Sequence, residues 1–304
     1  VFLFGDAALE GQIEAIRSEI RGKGVLLTHL TAREQAAESL KKEKAEAERA
    51  NIKQQQEDAR KAIIALNKLL DDITRDWATP ADRTIGHIVF SPRLDFGVGP
   101  DRYIEDWAVV EIDRSRIDNT NFIGNCIDLG TSIAVEEFTS WMCPHPTNPP
   151  SFKYPGNRLL KFSDTIPDGY WMGEPGKKTL NHDPVIMVIK RGGTSGLTVG
   201  RLNSIRSVIR YYFKGQPSQP TREVAVYPRG SWSGPFSEPG DSGSVVIDGN
   251  GRVTGILTGG AGATELLDCT YVTSINFLVK RLQERGYNPN IFLTADDLQT
   301  TVTY

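Results

Sequence analysis

The 304-residue sequence predicts a mainly β protein that carries a long, charged helical arm. Three observations lead there. Glycine is abundant, 29 of 304 residues, which suits short strands joined by many turns. From Arg83 to about residue 275, short apolar runs alternate with turn residues. Between Thr31 and Asp76 the composition changes abruptly to Ala, Glu, Lys, Arg and Gln with neither Gly nor Pro, a helical composition.

The elements follow in order. Residues 1–4 are apolar and read as a strand. Asp6 can cap a helix bearing Leu9, Ile13, Ile16 and Ile20 on one face, with Gly22 and Gly24 expected to end it. Val25-Leu26-Leu27-Thr28-His29-Leu30 is a short apolar run of either type. The 31–76 helix would extend nearly ~70 Å at the rise of an α-helix. Glu38 with Lys42 and Glu57 with Lys61 have the favourable i, i+4 order. Up to residue 58 it is a solvated arm. Beyond, Ala59, Ile63, Leu66, Leu70, Ile73 and Trp77 form a short coiled-coil-like seam. That seam either packs on this chain's own first helix or barrel, or serves self-association or a protein partner through helix 31–77. Thr79-Pro80 stops the helix. Gly86–Ser91 reads as a strand. Asp106–Asp113 reads as another, with Asp106, Ala108, Val110 and Ile112 on one face. Cys143–Pro155 is a Pro-rich loop, a further barrel begins near Val185, and the tail after Gly286 is irregular.

The chemistry concentrates at Glu238-Pro239-Gly240-Asp241-Ser242-Gly243-Ser244-Val245-Val246. Glycines let the backbone fold tightly around a serine hydroxyl. Such a turn can aim the amides of Gly240 and Ser242 at one point, where a tetrahedral oxyanion would form. Val245-Val246-Ile247, a turn at Asp248-Gly249-Asn250-Gly251, and Val253–Gly260 then make a hairpin. Thr270–Ile275 is a strand feeding a terminal helix capped by Ser274 or Asn276.

This order of nucleophile turn, hairpin, glycine-walled strand, Tyr-containing strand and closing helix resembles the second barrel of the chymotrypsin-like (trypsin-fold) serine peptidases. Glu105-Asp106-Trp107-Ala108-Val109-Val110 resembles their catalytic-acid strand. Lys190-Arg191-Gly192-Gly193-Thr194-Ser195-Gly196-Leu197-Thr198-Val199-Gly200 resembles the hairpin that opens the second barrel in bacterial and viral members. The whole is similar to basidiomycete fungal proteins that join a degenerate trypsin-like peptidase to a charged helical insertion. The resemblance covers roughly residues 80 to 285. It implies a trypsin-like double six-stranded antiparallel β-barrel, the first barrel incomplete, with a long α-helical hairpin or coiled-coil-like insertion. The expected divisions are 1–30, a remnant of the first-barrel region; 31–79, the helical arm; 80–185, the first-barrel portion; and 186–304, the second barrel.

The resemblance also implies roles. Ser242 is the nucleophile and Asp106 the acid, Gly240 and Ser242 supply the oxyanion amides, and Asp241 fixes the turn through a partner left unassigned. Gly255, Thr258, Gly259 and Gly260 line the substrate cleft, and Phe236 lies near the base of the specificity pocket, suiting apolar or small side chains. The serine needs a base, and the family order places a histidine before residue 106. His145 and His182 are therefore excluded. His87 precedes the acid strand in a structural position, and His29 follows a short apolar run. The stronger expectation is a histidine upstream of Val1, which makes the chain an incomplete peptidase acting on polypeptide substrates. The alternative is a non-catalytic trypsin-fold scaffold that binds a partner through its arm.

Bulk properties exclude other classes. Net charge is −3, which favours neither nucleic acid nor anionic lipid as a partner, and no apolar run of 18 residues spans a membrane. Three cysteines, an odd and sparse count, argue for reduced thiols and an intracellular setting. No Cys-x-x-Cys, His-x-x-x-His or phosphate-loop pattern occurs, so neither metal nor cofactor is expected.

Overall fold

The computed structural model describes all residues except 2–4, 37–41, 119, 144–151, 171–185, 213–218, 263–267 and 300–304. His145 and His182, and the expected starts at residues 1–4 and 185, therefore lie wholly or partly outside the described residues. The chain divides into two compact units. One comprises Val1–Val89 with Val110–Arg116, the other Phe90–Val109 with Ile117–Tyr304.

The first unit is built on a helical hairpin. Helix α1 (Asp6–Ala36) runs without interruption through Gly22, Gly24 and the Val25–Leu30 run, and α2 (Lys42–Asp76) follows. The expected helix stop at Gly22 and Gly24 is thus corrected. Each glycine costs about 1 kcal/mol relative to alanine in a helix. That cost is offset because the packed face continues past them to Leu30, which is fully buried against α2. The single 31–76 helix is likewise two helices, one ending at Ala36 and one starting at Lys42. Buried Leu9, Ile16 and Leu30 face a seam in which Ile52 and Ala59 are buried, and Ile63, Leu66, Leu70, Ile73 and Trp77 are half-buried. Two cross-hairpin polar contacts, Arg33 with Glu48 and Gln56 Nε2 with Glu34 Oε2 at 3.1 Å, fix the antiparallel register. At the base, buried Arg83 donates to the Trp77 carbonyl at 2.8 Å and to the Asp6 carboxylate. A small sheet pairs β1 (Gly86–Phe90) with β4 (Val109–Ile112). A Cβ on Gly86 would stand 2.0 Å from the Glu111 carbonyl oxygen, so only glycine permits that approach.

The second unit carries the barrel. Strands β8 (Ile186–Gly192), β9 (Gly196–Leu202), β11 (Pro220–Pro228), β12 (Val245–Asp248), β13 (Arg252–Ala261) and β14 (Cys269–Ser274) pair in the cyclic order β8-β9-β11-β14-β13-β12 and back to β8, all antiparallel. This is a closed six-stranded barrel. Val188, Ile189, Val224, Val226, Val246, Ile247 and Val272 are fully buried members of the core built on it. Closure removes the exposed strand edges that an open sheet would present. Two strands attach outside the ring: β7 (Asp164–Thr165) runs parallel to β13, and β10 (Ser207–Arg210) pairs with β11.

The remaining strands form separate pairs, β2 (Asp95–Val98) with β3 (Tyr103–Glu105), and β5 (Cys126–Asp128) with β6 (Leu159–Lys161). They do not close a second ring among the described residues. A short helix, α3 (Val135–Trp141), packs Phe138 into the core. Helix α4 (Ile275–Glu284) leaves β14 directly, and Ser274 Oγ caps it by accepting from the Asn276 amide at 3.2 Å. The tail is not wholly irregular, since α5 (Ala295–Gln299) forms after Thr294. No helix among the described residues is long and apolar enough to cross a membrane.

Candidate active site

The turn before β12 is shaped by one carboxylate. Asp241 is fully buried beneath the turn. Its Oδ1 accepts from the amides of Thr194 at 2.8 Å and Ser195 at 3.1 Å. Its Oδ2 accepts from Ser195 Oγ at 2.5 Å, the Glu238 amide at 3.0 Å and Lys190 Nζ at 2.9 Å. Burial pushes the Asp241 carboxyl up, but the bonds from Ser195, Glu238, Lys190 and Thr194 outweigh it and hold it well below the usual carboxylate range. Lys190 is also fully buried, donates to Ser195 Oγ at 2.6 Å and lies 5.6 Å from the Phe236 ring centroid. The partner that the sequence left open for Asp241 is therefore a buried lysine and a serine, both from the β8–β9 hairpin.

Space around this pair is tight. A Cβ on Gly192 would stand 2.2 Å from Asp241 Oδ1, and one on Gly240 would stand 2.3 Å from Thr194 Oγ1. Gly240 has φ of 103° and Gly243 of 85°, in the region that favours glycine. These two glycines let the chain pass over the carboxylate and emerge with Ser242 exposed. The amides of Asp241, Gly243 and Ser244 are spent inside the turn, on the carbonyls of Glu238, Leu257 and Asp241 at 3.0, 2.8 and 3.0 Å. The amides of Gly240 and Ser242 take no such part among the described residues. Two uncommitted backbone donors beside an exposed hydroxyl are the groups from which an oxyanion hole is built.

The cleft residues separate into two groups. Gly255 is buried within the sheet between Val246 and Ser274, where a Cβ would meet the Thr273 carbonyl at 1.9 Å, so its role is close strand packing. Phe236 is 1% exposed and belongs to the core, so its ring does not line a cleft. Thr258, Gly259 and Gly260 are more open. Beyond Leu257, β13 pairs with β14 alone among the described residues, leaving its other edge unoccupied. Thr258 Oγ1 lies 3.2 Å from Thr273 Oγ1.

Asp106 is exposed and sits between β3 and β4 rather than within a strand. The residue before it is clamped: buried Glu105 receives a forked set of bonds from Arg281 of α4, at 2.9, 2.8 and 3.0 Å. Ile104 is held in turn by its amide donating to Glu223 Oε1 at 2.8 Å. Asp106 lies in the field of Tyr211, whose hydroxyl is pushed up to about 12 by burial, with Glu223, Tyr271 and Asp106 adding to it. The Tyr211 hydroxyl stands 3.5 Å from where a Cβ on Gly259 would lie.

Two of the four histidines, His29 and His87, are among the described residues. His29 is exposed in the interior of α1, and His87 is exposed on β1 with its Nε2 3.5 Å from Glu111 Oε2. Both belong to the first unit. The described residues of the second unit contain no histidine.

Comparison with known proteins gives limited kinship. No family model matches the chain, and no curated protein matches it. Solved structures do. One described as a glutamic acid specific serine protease with a histidine triad in substrate binding is 12% identical, with a TM-score of 0.37 over 66% of this chain and 72% of that one. Nocardiopsis protease is 18% identical, with a TM-score of 0.29 over 43% and 56% of the two chains. Cellulomonas bogoriensis chymotrypsin is 20% identical, with a TM-score of 0.27 over 45% and 56%. This chain thus spans little more than half of the last two. These likenesses are loose and concern fold alone. What the site can do follows from its own residues.

Proposed function

We propose that the second unit is the nucleophile-bearing half of a serine endopeptidase that cleaves a peptide bond through an acyl-enzyme. One observation carries the reading: Ser242 is exposed on a turn whose neighbouring amides, Gly240 and Ser242, remain uncommitted while the buried Asp241 takes five hydrogen bonds beneath it. A turn built only for packing would have no reason to expose a hydroxyl between two free donors. In this reading Ser242 attacks the carbonyl, and the two amides hold the oxyanion. Asp106 orients a histidine that lies outside the described residues of this unit and takes the serine proton. The polypeptide substrate adds a strand to the open edge of β13 at Thr258–Gly260.

The experiment is reaction with a fluorophosphonate probe, applied to the longest natural form and to this 304-residue chain, each beside its Ser242→Ala variant. Labelling lost in the variant supports the reading.

A second reading has an observation of its own. The helical hairpin leaves Val25 and Ile64 each 70% exposed and Leu69 45% exposed. Such residues favour a non-catalytic scaffold that meets a protein partner, or another copy of itself, through the arm. Light scattering over a wide concentration range tests self-association, and a strict monomer removes it.

A further inference from the structure

Strand β10 stands outside the closed ring and pairs with β11 alone among the described residues. Its register sets Ser207 opposite Glu223, Val208 opposite Arg222, Ile209 opposite Thr221 and Arg210 opposite Pro220. In an antiparallel ladder, hydrogen-bonded and non-hydrogen-bonded pairs alternate. The Arg222 amide donates to the Arg102 carbonyl at 2.7 Å, so it is turned away from β10. Val208–Arg222 is therefore a non-hydrogen-bonded pair, and Arg210–Pro220 is the next of that kind. This suits Pro220, which has no amide to give. The N–H and C=O groups of Val208 and Arg210 thus face away from β11. No described residue bonds to them there, and they form a strand edge of the kind that accepts another strand.

The charged side chains on this edge have one sign. Alternation puts Val208 and Arg210 on one face, with Arg222 beside Val208 across the ladder. Val208 is 68% exposed, and Arg210 and Arg222 are both exposed. Neither arginine forms an ion pair or a side-chain hydrogen bond among the described residues. Arg206 continues the same face but is committed to Asp101, through its carbonyl at 2.9 Å and its carboxylate at 3.6 Å. On the opposite face Ile209 and Tyr211 are half-buried, and the Tyr211 ring lies 5.3 Å from that of Phe96. The strand is thus anchored on one face and open on the other. In a chain of net charge −3 the open face is a local reversal of sign. Two copies of β10 laid edge to edge would gather the arginines of both, which disfavours self-pairing. A strand that carries carboxylates meets the opposite condition.

We infer that the β10 edge is a docking site for an extended, acidic segment of another protein. The segment adds to the sheet as a strand through the main-chain groups of Val208 and Arg210, and sets its carboxylates beside Arg210 and Arg222. The inference is independent of the serine endopeptidase reading, since it uses neither Ser242 nor the β13 edge.

The probe is an acetylated, amidated peptide that alternates glutamate with valine, compared with the same peptide bearing lysine for glutamate. Fluorescence anisotropy of each, dye-labelled, follows binding to the 304-residue chain. The glutamate peptide is expected to bind about tenfold or more tightly than the lysine peptide, and to weaken as salt is added. Arg210→Glu is expected to lose about tenfold in affinity for the glutamate peptide. Val208→Pro removes an edge donor without removing a ladder bond, so it is expected to lose binding while its thermal unfolding stays near that of the parent. N-methylated peptides test the same bonds from the other side and need no variant to fold. Residues opposite Val208 and Arg210 carry their carboxylates on the arginine face and turn their amides to β10. Methylating the glutamate amides is therefore expected to lose binding, and methylating the valine amides to spare it. No binding of the glutamate peptide, equal binding of the lysine peptide, affinity unchanged in Arg210→Glu, or equal tolerance of the two methylation patterns overturns the inference. Light scattering that shows the chain self-associating, with Val208→Pro restoring the monomer, assigns the edge to a second copy and overturns it too.

Discussion

Lys190 Nζ lies 2.9 Å from Asp241 Oδ2 with both side chains fully buried, and Ser195 Oγ bridges them at 2.6 and 2.5 Å. The nucleophile turn therefore rests on a charge pair contributed by the opening hairpin of the barrel. Removing one member of a buried pair strands the other charge, at ~3–5 kcal/mol. Lys190→Met is expected to lose stability of that order in urea unfolding and to lose Ser242 labelling with it. Ser195→Ala removes both bridging bonds and leaves the pair, so its loss should be ~1–3 kcal/mol, below that of Lys190→Met.

Gly240 is the position where backbone conformation and space coincide. Its φ of 103° and the 2.3 Å approach of a Cβ to Thr194 Oγ1 leave no room for a side chain. Gly240→Ala is expected to destabilise by ~1–3 kcal/mol and to cut the rate of phosphonylation by ~10²–10³, because the oxyanion amide moves with the turn. Gly193→Ala is the control. A Cβ there would sit 3.5 Å from the Gly240 carbonyl, an ordinary contact. Its thermal unfolding and labelling should match the parent.

Glu223 gives the protein a pH signature. The residue is fully buried on β11, where its oxygens accept from the Ile104 amide at 2.8 Å and Thr273 Oγ1 at 2.9 Å. Burial pushes its carboxyl up to about 7 against those bonds. An unfolded glutamate releases its proton near 4.3. Between those values the unfolded state sheds a proton that the folded state keeps. The contribution is full below pH ~4, is lost as pH rises towards ~7, and is level above. Denaturant titrations at stepped pH should show Glu223→Gln gaining on the parent through that window, by on the order of 3–4 kcal/mol at its upper end. A constant difference from pH 4 to 8 contradicts the assignment.

The clamp on the acid is separable from the nucleophile. Arg281 of α4 holds Glu105, the neighbour of Asp106, through three bonds. Arg281→Met leaves Glu105 buried without its cation and should cost ~3–5 kcal/mol. Glu105→Gln with Arg281→Met should recover part of that loss, a coupling that a double-mutant cycle measures.

The sequence made some of this readable and left the rest hidden for physical reasons. The barrel's hairpins were visible because Asp248–Gly251 and the glycines around Ser242 mark local geometry. Ser274 announced its cap in the same way. The break between α1 and α2 was not visible, since residues 31 to 76 contain neither Gly nor Pro and only tertiary packing of α1 on α2 folds the arm back. Gly22 and Gly24 misled because a packed face overrides a local preference. Lys190 could have been found: in Ile186-Met187-Val188-Ile189-Lys190 the alternation places it inward with Val188, a charge that demands a buried partner. Glu223 gave no local signal, because its burial arises from strands distant in sequence.

The most direct measurement is fluorophosphonate labelling of the longest natural form and of this 304-residue chain, each with Ser242→Ala beside it. The account predicts stoichiometric labelling of the long form that vanishes in the variant. No labelling of either form contradicts the peptidase reading and leaves the barrel as a scaffold for its helical arm.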